Sequence, residues 1–238
     1  MKLFMPKQHG AWAMLLLPFW LGAAGSEIIW PHVPFFLGWA LIYLATYPSL
    51  LLFKGKKIAY YAKWTGIYLI PAIILLLVPL LFRPSIILFG LLMVPFFIIN
   101  AYYSSKNQDR AFGNDFSAIL AFSIAGLASS YLPHGELTAL SWIILASSVL
   151  FFAGSTFYVK SMIREKKNLS FRWVSWLFHA GVPVIWLLLG EWVIAAAFIP
   201  SLFRSIVFYG KSFSPKEIGI FEIANAAIFF FMMLIAIN

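Results

Sequence analysis

The side chains that could do chemistry fall into two groups. The first lies inside long apolar stretches, where every ionisable residue is costly. His179 sits about eight residues into the stretch 172–189, roughly 12 Å from its start at 1.5 Å per residue. Arg204 lies near the end of the stretch 191–209, and Glu222 near the start of 218–237, with Asn225 three residues later on the same helical face. These last two stretches are consecutive, so Arg204 and Glu222 can pair. They form either a packed ion pair, with Asn225 an interhelical hydrogen bond, or part of a polar path. His179 is either a satisfied buried imidazole or a proton-transfer group.

The second group lies between the stretches. Pro6-Lys7-Gln8-His9-Gly10-Ala11-Trp12 precedes the first of them, and Lys7, Gln8 and His9 form a compact polar run. His9 and His179 are the acid/base candidates. Asn100, Arg110 and Asp115 surround the connection after the fourth stretch, where Asn114 or Asp115 could instead cap the fifth helix. Tyr158, Lys160 and Arg164 follow the sixth. Lys160 and Arg164 share a face at i, i+4, either as a solvated flank or as a cradle for an anionic headgroup or diphosphate.

Other chemistries lack their residues. There is no Gly-rich phosphate loop, no H-E-x-x-H and no G-x-S-x-G. Cysteine is absent, which excludes disulfides, thiol nucleophiles and Cys-based metal sites. The central connections offer only Asp109, Asp115 and Glu165 as carboxylates. A magnesium–diphosphate site needs several together, so Mg2+ is disfavoured and no cofactor is predicted. Nucleic acid is not an expected partner, because the positive charge is spread along the chain.

The elements that position these residues are set by composition. Apolar residues make up 63% of the 238, charged residues 11%, and 25 residues are Phe. Soluble domains are about 25% charged, and a chain of this size cannot hide so much apolar surface from water. An ordinary soluble domain, a disordered chain and a disulfide scaffold are excluded. A membrane helix needs about 20 mostly apolar residues. Nine stretches qualify: 11–30, 32–53, 64–82, 84–103, 115–133, 137–159, 172–189, 191–209 and 218–237. Period-two alternation is absent, which argues against a barrel. The expected fold is all-α: one integral membrane domain over residues 1–238, a polytopic bundle of nine transmembrane helices. The first stretch follows Lys2 and Lys7 like a signal peptide, but with eight more behind it we read it as a helix.

The net charge of +9 then becomes a topology signal. Alternating the connections between two sides puts 16 of the 17 basic residues on one side and Arg83 alone on the other. By the positive-inside rule the N-terminus is cytoplasmic and the C-terminus external.

The run Pro6-Lys7-Gln8-His9-Gly10-Ala11-Trp12-Ala13-Met14-Leu15-Leu16-Leu17-Pro18 resembles the YwiC-like family of bacterial membrane proteins. Asn114-Asp115 and Tyr158 to Glu165 extend the resemblance along the chain. It implies an integral membrane protein without an assigned reaction. A wider similarity is to UbiA-type prenyltransferases, which have nine helices and two Asp-rich motifs holding magnesium and a prenyl diphosphate. The helix count, the orientation and the polar connections after helices four and six look like that plan. The motifs do not: Thr46 to Lys54 contains no Asp, and Tyr158 to Lys167 contains basic residues and one Glu. No catalytic Asp is carried over.

The leading expectation is a multi-pass protein of the bacterial cytoplasmic membrane. It binds or processes an amphipathic anionic lipid or isoprenoid, with the headgroup met at the cytoplasmic face by Lys7, Gln8, His9, Asn100, Arg110, Asp115, Tyr158, Lys160 and Arg164. The alternatives are a transporter using His179, Arg204, Glu222 and Asn225, and a non-catalytic assembly factor. The orientation has a direct test. Alkaline phosphatase fused to the C-terminus is expected to be active, and a fluorescent protein there dark; the reverse pattern would refute the assignment.

Overall fold

The structure is a computed structural model that describes residues 4, 9–55 and 57–237, His9 by its backbone alone. Lys7 and Gln8 lie outside the described residues. Among the described residues nine α-helices follow one another: α1 His9–Ala24, α2 His32–Leu52, α3 Ile58–Phe82, α4 Ile87–Ser105, α5 Phe112–Tyr131, α6 Ala139–Ile163, α7 Leu169–Leu188, α8 Trp192–Val207 and α9 Pro215–Ile237. Among the described residues there is no strand. In hydrocarbon every backbone N–H and C=O must be met within the chain, and a helix does this locally.

Two expectations need adjusting. The stretch 11–30 is helical only to Ala24. Gly25 and Ser26 interrupt it, and Pro31 precedes α2. Of the nine helices, seven are long and apolar enough to cross a membrane. The other two, α1 and α8, have 16 residues each, or about 24 Å at 1.5 Å per residue, against a hydrocarbon core of about 30 Å. Large apolar side chains on the outer faces stand exposed, Leu81 at 80% and Leu188 at 82%. Such surface belongs in lipid, and the chain is a multi-pass membrane protein.

The fold resolves into two compact units. One comprises residues 18–55 and 57–145 with residue 4; the other comprises residues 9–17 and 146–237. In the first unit, Phe19, Phe35, Ile86, Ala128 and Leu132 form a buried cluster. His32, fully buried, opens α2 and hydrogen-bonds through Nε2 to the Ser129 carbonyl of α5 at 2.9 Å. A carbonyl only accepts, so Nε2 carries the proton and Nδ1 accepts from the Ile29 N–H at 3.1 Å. Arg83, the one basic residue assigned to the far side, donates through Nη2 to the Pro133 carbonyl at 2.7 Å. It thereby satisfies a carbonyl just past the end of α5, where a cation is favoured.

At the other end of α2 and α3 the Phe4 ring is nested among aromatic rings. It stacks on Tyr47 at 5.1 Å and meets Tyr60, Tyr61 and Trp64 at 5.8, 5.7 and 6.1 Å. Tyr68 donates its hydroxyl to the Phe4 carbonyl at 3.0 Å. Lys54 bridges to Asp109 at 2.8 Å, joining the connections after α2 and α4.

The crossing of α1 and α5 depends on the absence of side chains. A methyl group at Gly22 would overlap the Gly126 carbonyl, and one at Gly126 would press on the Pro18 carbonyl. Small residues allow this backbone approach. Gly22→Ala is therefore expected to destabilise by about 1–3 kcal/mol, the usual range for overpacking. Gly66→Ala in α3, where nothing lies within 4 Å, should leave the melting temperature in detergent nearly unchanged. Equal melting temperatures for the two variants would refute the close crossing.

Candidate functional site

The second unit gathers all four of the intramembrane polar candidates. Each helix contributes residues spaced three or four apart, which puts them on one face. Ser155 and Tyr158 come from α6, Ser175 and His179 from α7, Ser201 and Arg204 from α8, and Glu222 and Asn225 from α9.

Between α8 and α9 the contacts form two rungs. Ser201 meets Asn225, with Asn225 Nδ2 donating to Ser201 Oγ at 2.9 Å. One turn on, the Arg204 guanidinium pairs through Nη1 with Glu222. As α8 advances three residues, α9 retreats three, the register of an antiparallel pair. The Ser155 side chain lies close to Glu222. The Tyr158 ring lies against the guanidinium face, 4.1 Å from Arg204 Cζ. Trp176 Nε1 donates to the Ser205 carbonyl at 2.9 Å, fastening α7 to α8.

Arg204 is 4% exposed, yet its Nε and Nη2 have no hydrogen-bond partner among the described residues, and neither does the Tyr158 hydroxyl. Nε and Nη2 form one edge of the planar guanidinium, the edge that takes a carboxylate or phosphate in bidentate fashion. The Arg204 face rests on Tyr158, one nitrogen serves Glu222, and a complete donor edge is unpaired. The buried side of α7 offers the opposite polarity. His179, 3% exposed, donates from Nδ1 to the Ser175 carbonyl at 2.7 Å, which leaves Nε2 as an acceptor with no partner.

The remaining candidates are distributed. Lys160 is buried in the last turn of α6, and Arg164 is exposed one turn later. Asn100, Arg110 and Asp115 belong to the first unit. Asn100 accepts from Ser117 at 2.8 Å across α4 and α5, and Arg110 is exposed. Asp115 lies in the first turn of α5, where the helix dipole favours an acid. Neither Asn114 nor Asp115 caps that helix: α5 begins two residues earlier, at Phe112, and Asn114 reaches back to the Asp109 carbonyl at 2.7 Å. His9 is the first residue of α1. Among the described residues no three His, Asp or Glu side chains come together as a metal site. The sequence pattern did not single out Ser155, Ser201 or His32. The i, i+3 partnership of Ser201 with Arg204 was the available signal for one of them.

Breaking the ion pair from one side strands a charge in a dry interior, which typically costs about 3–5 kcal/mol. Arg204→Gln and Glu222→Gln are each expected to lower thermal stability in detergent sharply. The double variant should recover most of the loss, because no net charge then remains buried. Additive losses in that cycle would refute the pairing.

The model of the YwiC-like protein family matches residues 5–130. A Bacillus subtilis (strain 168) protein described as "Uncharacterized protein YwiC" is 43% identical over the full length of both chains. A Haemophilus influenzae relative, described as "Uncharacterized protein", is 37% identical over 99% of each. No solved structure matches. With two full-length relatives and a family match over half its residues, this chain belongs to the YwiC-like family.

Proposed function

We propose that the protein binds the headgroup of an anionic amphiphile, a lipid or isoprenoid phosphate, in the bacterial cytoplasmic membrane. The carrying observation is the unpaired Nε and Nη2 edge of Arg204, beside the unpaired Tyr158 hydroxyl. A guanidinium edge with two unpaired donors, its face on an aromatic ring, suits a phosphate or carboxylate. The basic residues Lys160 and Arg164 follow Tyr158 toward the end of α6 and favour the approach of an anion. Placing that end on the cytoplasmic side follows from the positive-inside count. The Arg204 edge is covered in this structure, so binding entails displacement of the side chains over it. The apolar tail would lie along the lipid-facing helices.

The same four polar residues favour a second function, a permease. Pro183 inside α7 and Pro200 inside α8 each remove a backbone hydrogen bond and mark places where these helices can bend.

Native mass spectrometry on the protein released from mild detergent separates these. An anionic phospholipid or isoprenoid phosphate is expected to remain bound. Occupancy should fall at least tenfold in the charge-neutral Arg204→Gln/Glu222→Gln double variant. Tyr158→Phe should weaken it several-fold, as for one lost hydrogen bond of about 1 kcal/mol. Absence of a bound amphiphile, or occupancy indifferent to these changes, would overturn the proposal. Solute flux in proteoliposomes abolished by Glu222→Gln would favour the permease instead.

A further inference from the structure

A separate feature of the α6–α9 unit does not rest on the headgroup site. His179 presents a bare Nε2 to a cavity bordered by Gly154, Phe178, Val182, Phe198 and Ser201. Its volume available to a water centre is about 10 Å³, room for about one water molecule and nothing larger. Gly154 makes part of that room: a methyl group there would stand 3.2 Å from Nε2.

The polarity of the cavity wall is fixed. Because the Ser175 carbonyl only accepts, Nδ1 of His179 carries the ring proton, and Nε2 offers a lone pair. Ser201, also on the cavity wall, receives the Asn225 Nδ2 proton at Oγ, 2.9 Å away. The serine's own proton has only a long 3.3 Å contact with Asn225 Oδ1, so it can turn to a better acceptor. One wall therefore needs a donor and the other has one to give. Water alone among small molecules of that size satisfies both.

We infer that this cavity is a binding site for one water molecule, which accepts from Ser201 and donates to His179 Nε2. The chain of bonds then runs in one direction, from the Asn225 amide through the Ser201 hydroxyl and the water to the imidazole. It connects α9, α8 and α7 in a region where the bilayer provides no other donor. Pro183 lies four residues after His179 and lacks the N–H that would meet the residue 179 carbonyl. The water thus holds α7 at a point where its own backbone ladder is interrupted.

Solid-state NMR on histidine-15N-labelled protein in lipid nanodiscs tests this, with His179→Gln assigning the resonances. The expected result is a protonated Nδ1 and an unprotonated Nε2 that receives magnetisation from a slowly exchanging water. Gly154→Ala should abolish that transfer, and Ser201→Ala should weaken it at least twofold. The protonated His179 Nδ1, bonded to the Ser175 carbonyl in the same unit, reports whether each variant is folded. A protonated Nε2, no water transfer in the unaltered protein, or transfer unchanged in folded Gly154→Ala would each overturn the inference.

Discussion

Within a hydrocarbon layer a polar group has no water to turn to, and this constraint organises the interior. Some serine and threonine hydroxyls fold back on their own helices. Thr46 donates to the Tyr43 carbonyl, Ser49 to Ala45, Ser161 to Tyr158 and Ser205 to Leu202. Such bonds need no partner helix and set no tertiary register. The long-range polar contacts do. His32 to Ser129, Ser201 to Asn225 and Arg204 to Glu222 each fix two helices at one relative height. Slipping either helix by one residue would leave a charge or an amide unmet.

Size does the complementary work. Helix α5 buries every residue from Ser123 to Ser130, and six of the eight are Ser, Ala or Gly. A helix with so little side chain lets its neighbours approach the backbone itself, as Gly22 does at Gly126. Helices α3 and α4 follow the opposite rule, with Leu, Ile and Val standing outward and few buried positions. Dispersion between close backbones replaces the hydrophobic driving force that is missing among lipid tails. In the second unit aromatic stacking plays a similar part, with Phe151 and Phe229 at 4.0 Å.

Much of this was legible in the sequence. Apolar run length located all nine helices, because backbone satisfaction in lipid leaves a run of that length one outcome. It overextended the first, since Gly25 and Ser26 end a helix without lowering average hydropathy much. The Arg204–Glu222 pair was readable because consecutive helices are antiparallel and few charges compete. The place of Tyr158 was not: its neighbours in sequence, Lys160 and Arg164, suggested a surface cradle, whereas helix phase turns its ring inward beneath Arg204. His32 was missed because it opens the apolar stretch 32–53, where a histidine reads as part of the connection before it. The N-cap expectation at Asn114 failed because α5 begins one turn earlier than the apolar run indicates.

The nest around Phe4 bears on the order of events in folding. Its partners lie 43 to 64 residues further along the chain, at Tyr47, Tyr60, Tyr61, Trp64 and Tyr68. Only Tyr47 belongs to α2; the other four rings lie in α3, so Phe4 cannot complete its nest during the insertion of α1 and α2. Its attachment is a closing step, contingent on the hairpin of α2 and α3 already standing. Loop-closure entropy for such a contact is met by ring stacking and one hydroxyl. Phe4 thus acquires its place only after the helices that supply its rings have acquired theirs.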